Sequence, residues 1–161
     1  MSEPTIEQIA QWLKDALAEI TCANGYQQDL DVSRPEDRFL DDEMISDLTT
    51  IIVQAESTKG EGTSVSHIQW LQGFEIYVYF LAAKNAAVSL DTRINRVAAD
   101  IHKRLGAELA APTAGRFMDQ LASGLLFEGS SITIDPDLHA TVLSVDITIR
   151  YEVLATNPYD N

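Results

Sequence analysis

Thr141–Val153 reads TVLSVDITIRYEV, with an apolar residue at every second position. Leu143, Val145, Ile147, Ile149, Tyr151 and Val153 alternate with Ser144, Asp146, Thr148, Arg150 and Glu152. A period of two belongs to an antiparallel strand with one face buried and the other wet. At roughly 3.3 Å per residue the stretch would extend on the order of 40 Å, longer than the usual strand of five or six residues. It is therefore predicted to project past its neighbours and to offer an edge with which another subunit can pair.

Working outward, Asp135-Pro136-Asp137 is a turn that feeds this strand, which makes the last third of the chain a hairpin. Its first arm alternates weakly over Gln120–Phe127 and Ser131–Ile134. Gly124 and Gly129 within it suggest a bent or interrupted strand. After Val153 the chain leaves through Asn157-Pro158-Tyr159 as a short tail over 155–161. Two more strands are expected. Leu48–Glu56 (LTTIIVQAE) is β-rich with Ile51, Ile52 and Val53 consecutive, and Gly73–Ala83 (GFEIYVYFLAA) carries Phe74, Ile76, Val78 and Phe80 on one face. The other face of the second mixes Glu75, Tyr77, Tyr79 and Leu81, which suits ordinary cross-strand packing or a surface half covered by a neighbour. Ser57–Ser66 (STKGEGTSVS) between them reads as an exposed loop. Its Lys59-Gly60-Glu61-Gly62 lacks the order of a phosphate loop.

Two amphipathic helices complete the pattern. In the first, Thr5 is placed to cap with Gln8 at the capping-box position, and Ile6, Ile9, Ala10, Leu13, Leu17 and Ile20 share a face up to a stop near Asn24-Gly25. Trp12 lies beside that stripe as a boundary residue of the core, with a partner contact as the alternative. The second runs from Ser89 or Asp91 to Leu105, with Ile94, Val97, Ala98, Ile101 and Leu105 inward and Gly106 closing it. Arg93, Arg96, Asp100, Lys103 and Arg104 fall on its other side, so it is the most basic element of the chain. Arg96 with Asp100 and Asp100 with Arg104 are pairs four apart, worth a few tenths of a kcal/mol each on a solvated face. The sharper alternative is a positive patch that docks on a neighbour's acidic segment. The fold class expected is α+β, a curved and mainly antiparallel sheet of about four to five strands with two helices on one face.

The 161 residues, 45% of them hydrophobic, suffice for one well-buried core and are few for two, so a single domain over 1–161 is expected. Against 11 basic residues stand 25 acidic ones, a formal charge of −14 that repels phosphate backbones and anionic membranes. Sequence-specific nucleic-acid binding and membrane partners are not expected. The single cysteine, Cys22, excludes an internal disulfide framework and reads as a small apolar residue. No basic leader with an apolar run opens the sequence, so a soluble protein without a signal peptide is expected. The acids crowd into an irregular connection over 29–47, where Asp29, Asp31, Glu36, Asp37, Asp41, Asp42, Glu43 and Asp47 are relieved by Arg34 and Arg38. Their spacing is not that of a calcium loop, and His67, His102 and His139 lack ligand spacing, so neither metal nor cofactor is expected. No nucleophile elbow, Walker loop or dinucleotide fingerprint occurs, and the chain is not expected to be an enzyme.

GFEIYVYFLA leading into SLDTRINRVAADIHKRL, followed by the terminal VLSVDITIRYEVLATNPYDN, resembles the small tail terminator (tail completion) proteins of long-tailed bacteriophages. The likeness lies in the order of elements and covers most of the chain. It implies a subunit that assembles with itself, as a hexameric ring, on the end of the tail tube, stops tube polymerisation and joins the head-tail connector protein. The partners implied are thus a second copy, the tail tube protein and the connector. The locations implied are the virion tail and, during assembly, the host bacterial cytoplasm. A strongly negative lumen would let DNA slide without sticking, which places the acids of 29–47 toward the lumen or the tube. Interface candidates from exposed periodic faces are Asp41, Asp42, Glu43, Arg93, Arg96, Arg104, Asp146, Arg150 and Tyr159. Charge supports a competing class equally, an acidic binding protein such as a DNA mimic acting as a monomer or dimer.

Overall fold

A computed structural model describes residues 3–34, 45–63, 66–81, 87–110 and 118–154. The elements in chain order are α1 (Thr5–Ala18), β1 (Asp31–Ser33), β2 (Thr49–Thr63), β3 (His67–Leu81), α2 (Leu90–Ala110), β4 (Gly124–Asp135) and β5 (Ala140–Leu154). The described strands form one open, mostly antiparallel sheet in the order β1-β2-β3-β5-β4, mixed because β1 runs parallel to β2. The architecture is α+β, with both helices on one face.

The pattern of Thr141–Val153 sets that arrangement. Leu143, Val145, Ile147, Ile149, Tyr151 and Val153 are all buried, and their side chains join those of Phe74, Ile76, Val78 and Phe80 from β3 in one core. The register aligns the two sets, with Phe74 opposite Ile147, Ile76 opposite Val145 and Val78 opposite Leu143. Onto this face α1 lays Ile9, Leu13 and Leu17, and α2 lays Ile94, Val97, Ile101 and Leu105. A smaller cluster of Ile45, Ile51, Tyr79, Ala140 and Val142 seals one end of the opposite face.

Several expectations are corrected. The strand predicted to project is interior, because β3 pairs with it from Ala140 to Leu154 on one side and β4 from Ala140 to Arg150 on the other. The predicted loop over 57–66 is mostly strand. β2 runs to Thr63 and β3 begins at His67, since Thr58–Thr63 finds partners in Ile68–Gln72 across two register shifts. At the first shift the buried Gln72 amide donates to the carbonyl of Ala55 at 2.9 Å, so the irregular ladder is not left unsatisfied. The arm expected to be bent or interrupted is one strand, β4, with the expected irregularity between Phe127 and Gly129, but it starts at Gly124 and not at Gln120, because Met118–Leu121 form a turn. Of the loop expected over Leu109–Phe117, Leu109 and Ala110 belong to α2 and 111–117 lie outside the described residues.

The helices differ at their ends. Pro4, not Thr5, occupies the N-cap of α1 without a side-chain cap, Thr5 is buried, and the Gln8 amide turns back to donate to the carbonyl of Glu3. The helix stops at Ala18, and Gly25, with φ of 83°, closes a separate short 3-10 turn over Cys22–Asn24. α2 passes through Gly106 to Ala110, where an added Cβ would meet nothing, so the glycine needs no special backbone. The expected turn before β5 is present: the Asp135 carboxylate accepts the N–H groups of Asp137 and Leu138, and His139 takes a left-handed conformation.

Because Ile147 is buried between β3, β4 and the helices, Ile147→Ala is expected to cost about 2–5 kcal/mol. Leu126→Ala, at a side chain 59% exposed, is expected to change stability by less than about 0.5 kcal/mol. Urea unfolding of the two variants checks both, and equal effects would contradict this placement of the core.

Candidate interaction surface

Three regions carry the polar groups that a partner could meet. They are the outer side of α2, the sheet face away from the helices, and the outer edge of β4. On α2 the expected basic patch is largely spent within the chain. Arg93 pairs with Asp47 and lies 5.6 Å from the Phe80 ring. Arg104 reaches Glu19 and Glu108, each at 3.0 Å, and stands 5.3 Å from the Trp12 ring, which is half-buried against the core as a boundary residue. Lys103 donates to the carbonyl of Gly25 and sits over Tyr26. Asp100 does not join the outer side: it is 4% exposed and accepts the Gln27 N–H at 2.8 Å, tying the loop after α1 to α2. The expected Arg–Asp100 pairs therefore give way to long-range partners. Arg96 remains exposed, beside a depression that Cys22, Asp29, Asp47 and Arg93 also line. His102 stacks on Phe127 of β4 with ring centroids 4.3 Å apart.

Of the other sequence candidates, Asp41, Asp42, Glu43 and Tyr159 lie outside the described residues. Asp146 and Arg150 project from β5 on the side away from the helices. There Asp146 stands directly opposite Glu75 of β3, and Arg150 opposite Leu71 and Gly124. Like charges facing each other across a strand pair cost roughly 0.2–1 kcal/mol. Each carboxylate has a neutral donor: the Tyr77 hydroxyl donates to Glu75, and the Ser144 hydroxyl donates to Asp146 at 3.0 Å. The bond to Glu75 is the largest cause of the Tyr77 phenol being pushed up to about 12, with partial burial and the charges of Glu75 and Asp146 acting the same way. The face away from the helices thus carries two adjacent carboxylates, each held by one neutral donor. Farther along the face, Leu71, Gly124, Leu126, Thr148 and Arg150 line a shallow pocket.

Comparison with protein-family models and with the curated proteins gives no match. Among the described residues no group of three or more His, Cys, Asp or Glu could hold a metal, and no helix is long and apolar enough to cross a membrane. The Cys22 thiol is exposed, and partial desolvation followed by the Asp29 carboxylate holds it above its ordinary range, which lowers its reactivity.

Sequence reading placed the open strand edge on β5. Among the described residues the open edges are the outer side of β2 beyond Ile51 and that of β4, where Leu126, Ile132 and Ile134 are 59, 58 and 78% exposed. The available signal was the alternation of Ile132 and Ile134 with Ser131, Thr133 and Asp135, an amphipathic pattern in a segment that owns little of the core.

The Tyr77–Glu75 bond makes a pH prediction. The folded chain holds the phenolic proton more tightly than the unfolded one, where it titrates near 10. This contribution to stability is whole below pH 10 and is lost as the pH rises through about 12. Ultraviolet titration should show a late phenolate that disappears in Tyr77→Phe and moves back toward 10 in Glu75→Gln. A late phenolate unchanged by Glu75→Gln would refute the assignment.

Proposed function

We propose that this chain is a structural subunit of a phage or prophage tail, a terminator that forms a ring with copies of itself on the tail tube. In that place it stops tube growth and meets the head-tail connector protein. The single observation that carries the reading is the open border of the sheet. A helix-backed sheet ends in β4, whose outer side has no strand among the described residues and whose Ile132 and Ile134 face solvent. Surfaces of this kind belong to subunits that are completed by a neighbour.

The electrostatics are consistent with the same place. Arg93 and Arg104 are engaged within the chain by Asp47, Glu19 and Glu108, while the chain keeps a formal charge of −14. A ring of such subunits would present an anionic lumen that repels DNA phosphates and so passes the duplex without binding it. Hexameric closure is the stoichiometry proposed, from the likeness in element order. The competing reading, an acidic DNA mimic that occupies a basic groove as a monomer or dimer, draws on the charge and leaves the apolar border of β4 without a purpose.

Removing the gene product from the assembling particle decides between them. Electron microscopy is expected to show overlong or ragged tails in its absence and uniform tails when it is restored. Tails of normal length would defeat the terminator reading.

A further inference from the structure

The loop after α1 carries Asn24-Gly25, the one place in the chain where an asparagine precedes a glycine. Asn85 precedes Ala86, Asn95 precedes Arg96 and Asn157 precedes Pro158. The following glycine matters because no side chain shields its backbone nitrogen, which can approach the amide carbon of the asparagine before it. Both residues are exposed, and a Cβ built on Gly25 would meet nothing within 4 Å. Water and base reach the pair freely. Its neighbours nevertheless hold it in one shape. The Asn24 side-chain amide donates to the Glu19 carbonyl at 2.8 Å, and the Gly25 N–H donates to the Cys22 carbonyl at 3.1 Å. From α2, Lys103 donates to the Gly25 carbonyl at 3.1 Å and stands 4.5 Å from the Tyr26 ring, while Asp100 accepts the Gln27 N–H.

We propose that Asn24-Gly25 is a self-modification site, which the contacts with α2 keep shut and which opening of the loop releases. In the reaction the Gly25 nitrogen gives its proton to base and bonds to the carbonyl carbon of the Asn24 side chain. The bond from that carbon to the amide nitrogen breaks, and the nitrogen takes up a proton and leaves as ammonia. Water then opens the cyclic imide at either of its carbonyls. One opening leaves aspartate at position 24, and the other leaves isoaspartate, in which the chain runs through the former side chain. The balance is one water consumed and one ammonia released.

The loop governs both reacting groups. The nucleophile is the N–H that the Cys22 carbonyl accepts, so the closed turn resists its deprotonation. The electrophile is anchored on the Glu19 carbonyl and cannot swing over the Gly25 nitrogen until that bond breaks. Gly25 has φ of 83° and its carbonyl is held by Lys103, which couples the shape of the turn to α2. The products undo these ties. Aspartate sets a carboxylate where the amide donor met the Glu19 carbonyl, acceptor against acceptor. Isoaspartate adds a carbon to the backbone before Gly25 and so moves the Gly25 carbonyl off Lys103. Either product adds a negative charge to a loop that already holds Asp29, and it alters the depression lined by Cys22, Gln27, Asp29 and Arg96. The chemistry stands independently of any place in a tail.

The test uses the full chain at mildly alkaline pH, with peptide mapping for the aspartate and isoaspartate forms and ammonia release as a second readout. In concentrated urea the products are expected at Asn24. In native buffer they should form at least ~tenfold more slowly, because the reaction waits for local opening of the loop. Lys103→Ala, at an exposed side chain, should raise the native rate severalfold with circular dichroism unchanged, and Lys103→Arg should keep it slow. In Asn24→Asp, hydrogen exchange of the Gln27 amide should quicken while that of Ile147 in the core stays as it was. The proposal is overturned by products that map away from Asn24, by equal rates in urea and native buffer, by a Lys103→Ala rate equal to that of the wild type, or by Gln27 exchange that Asn24→Asp leaves unchanged.

Discussion

The pairing of β3 with β5 is the contact on which the rest of the molecule depends. It runs without a register shift from His67 opposite Leu154 to Leu81 opposite Ala140. Because side chains alternate between faces, a slip of one residue would carry Phe74, Ile76 and Val78 to one side and Val145, Ile147 and Ile149 to the other. No helix could then cover both sets. With the register as it is, one continuous apolar face exists, α1 and α2 cover it, and β2 and β4 are added at the two outer sides of an established pair. The irregularities fall in those outer ladders, between Gln54 and Thr58, between Gly60 and Gly62, and between Phe127 and Gly129, where a distortion does not disturb the central register.

This hierarchy explains what could be read from the sequence. The faces were legible, since Thr141–Val153 and Gly73–Ala83 announce by their period which side chains point inward. The position of each strand in the sheet was not. An interior strand and an edge strand of an antiparallel sheet have the same alternation, because hydrogen bonding along the edges uses backbone groups common to all residues. The β-poor TKGEGT became strand for a related reason: its partner, Ile68–Gln72, holds it in a ladder, and pairing overrides local propensity. Gly106 had the composition of a helix end, but α2 continues to Ala110, and its last turns bury nothing and are tied back by the Arg104–Glu108 pair.

The candidate site was less legible, and the reason is electrostatic. Along α2 the sequence offers Arg96, Asp100 and Arg104 as neighbours on a solvated face. The fold brings Gln27, Asp47 and Glu19 to the same helix, and these distant partners take Asp100, Arg93 and Arg104. Asp100 is the clearest case. A carboxylate in a helix otherwise rich in basic residues reads as an ion-pair member, and only the approach of the loop after α1 shows that it is buried as a backbone acceptor. Spacing along a helix gives the weak contacts, and tertiary structure gives the strong ones.

These placements divide the surface by the kind of neighbour it admits. Cations held close by their own chain cannot also attract a second molecule strongly, so Arg93 and Arg104 fix the helices to the rest of the subunit instead of recruiting a partner. The exposed carboxylates keep other acidic bodies at a distance and repel DNA phosphates. Among the described residues, the backbone left open to a neighbour is the outer border of β4, where Ile132 and Ile134 are exposed, and the outer side of β2 beyond Ile51, while Glu75 and Asp146 form an acidic pair on the face away from the helices. The two kinds of surface differ in their response to salt. A neutral contact between like-charged subunits is strengthened by screening and a carboxylate–cation contact is weakened.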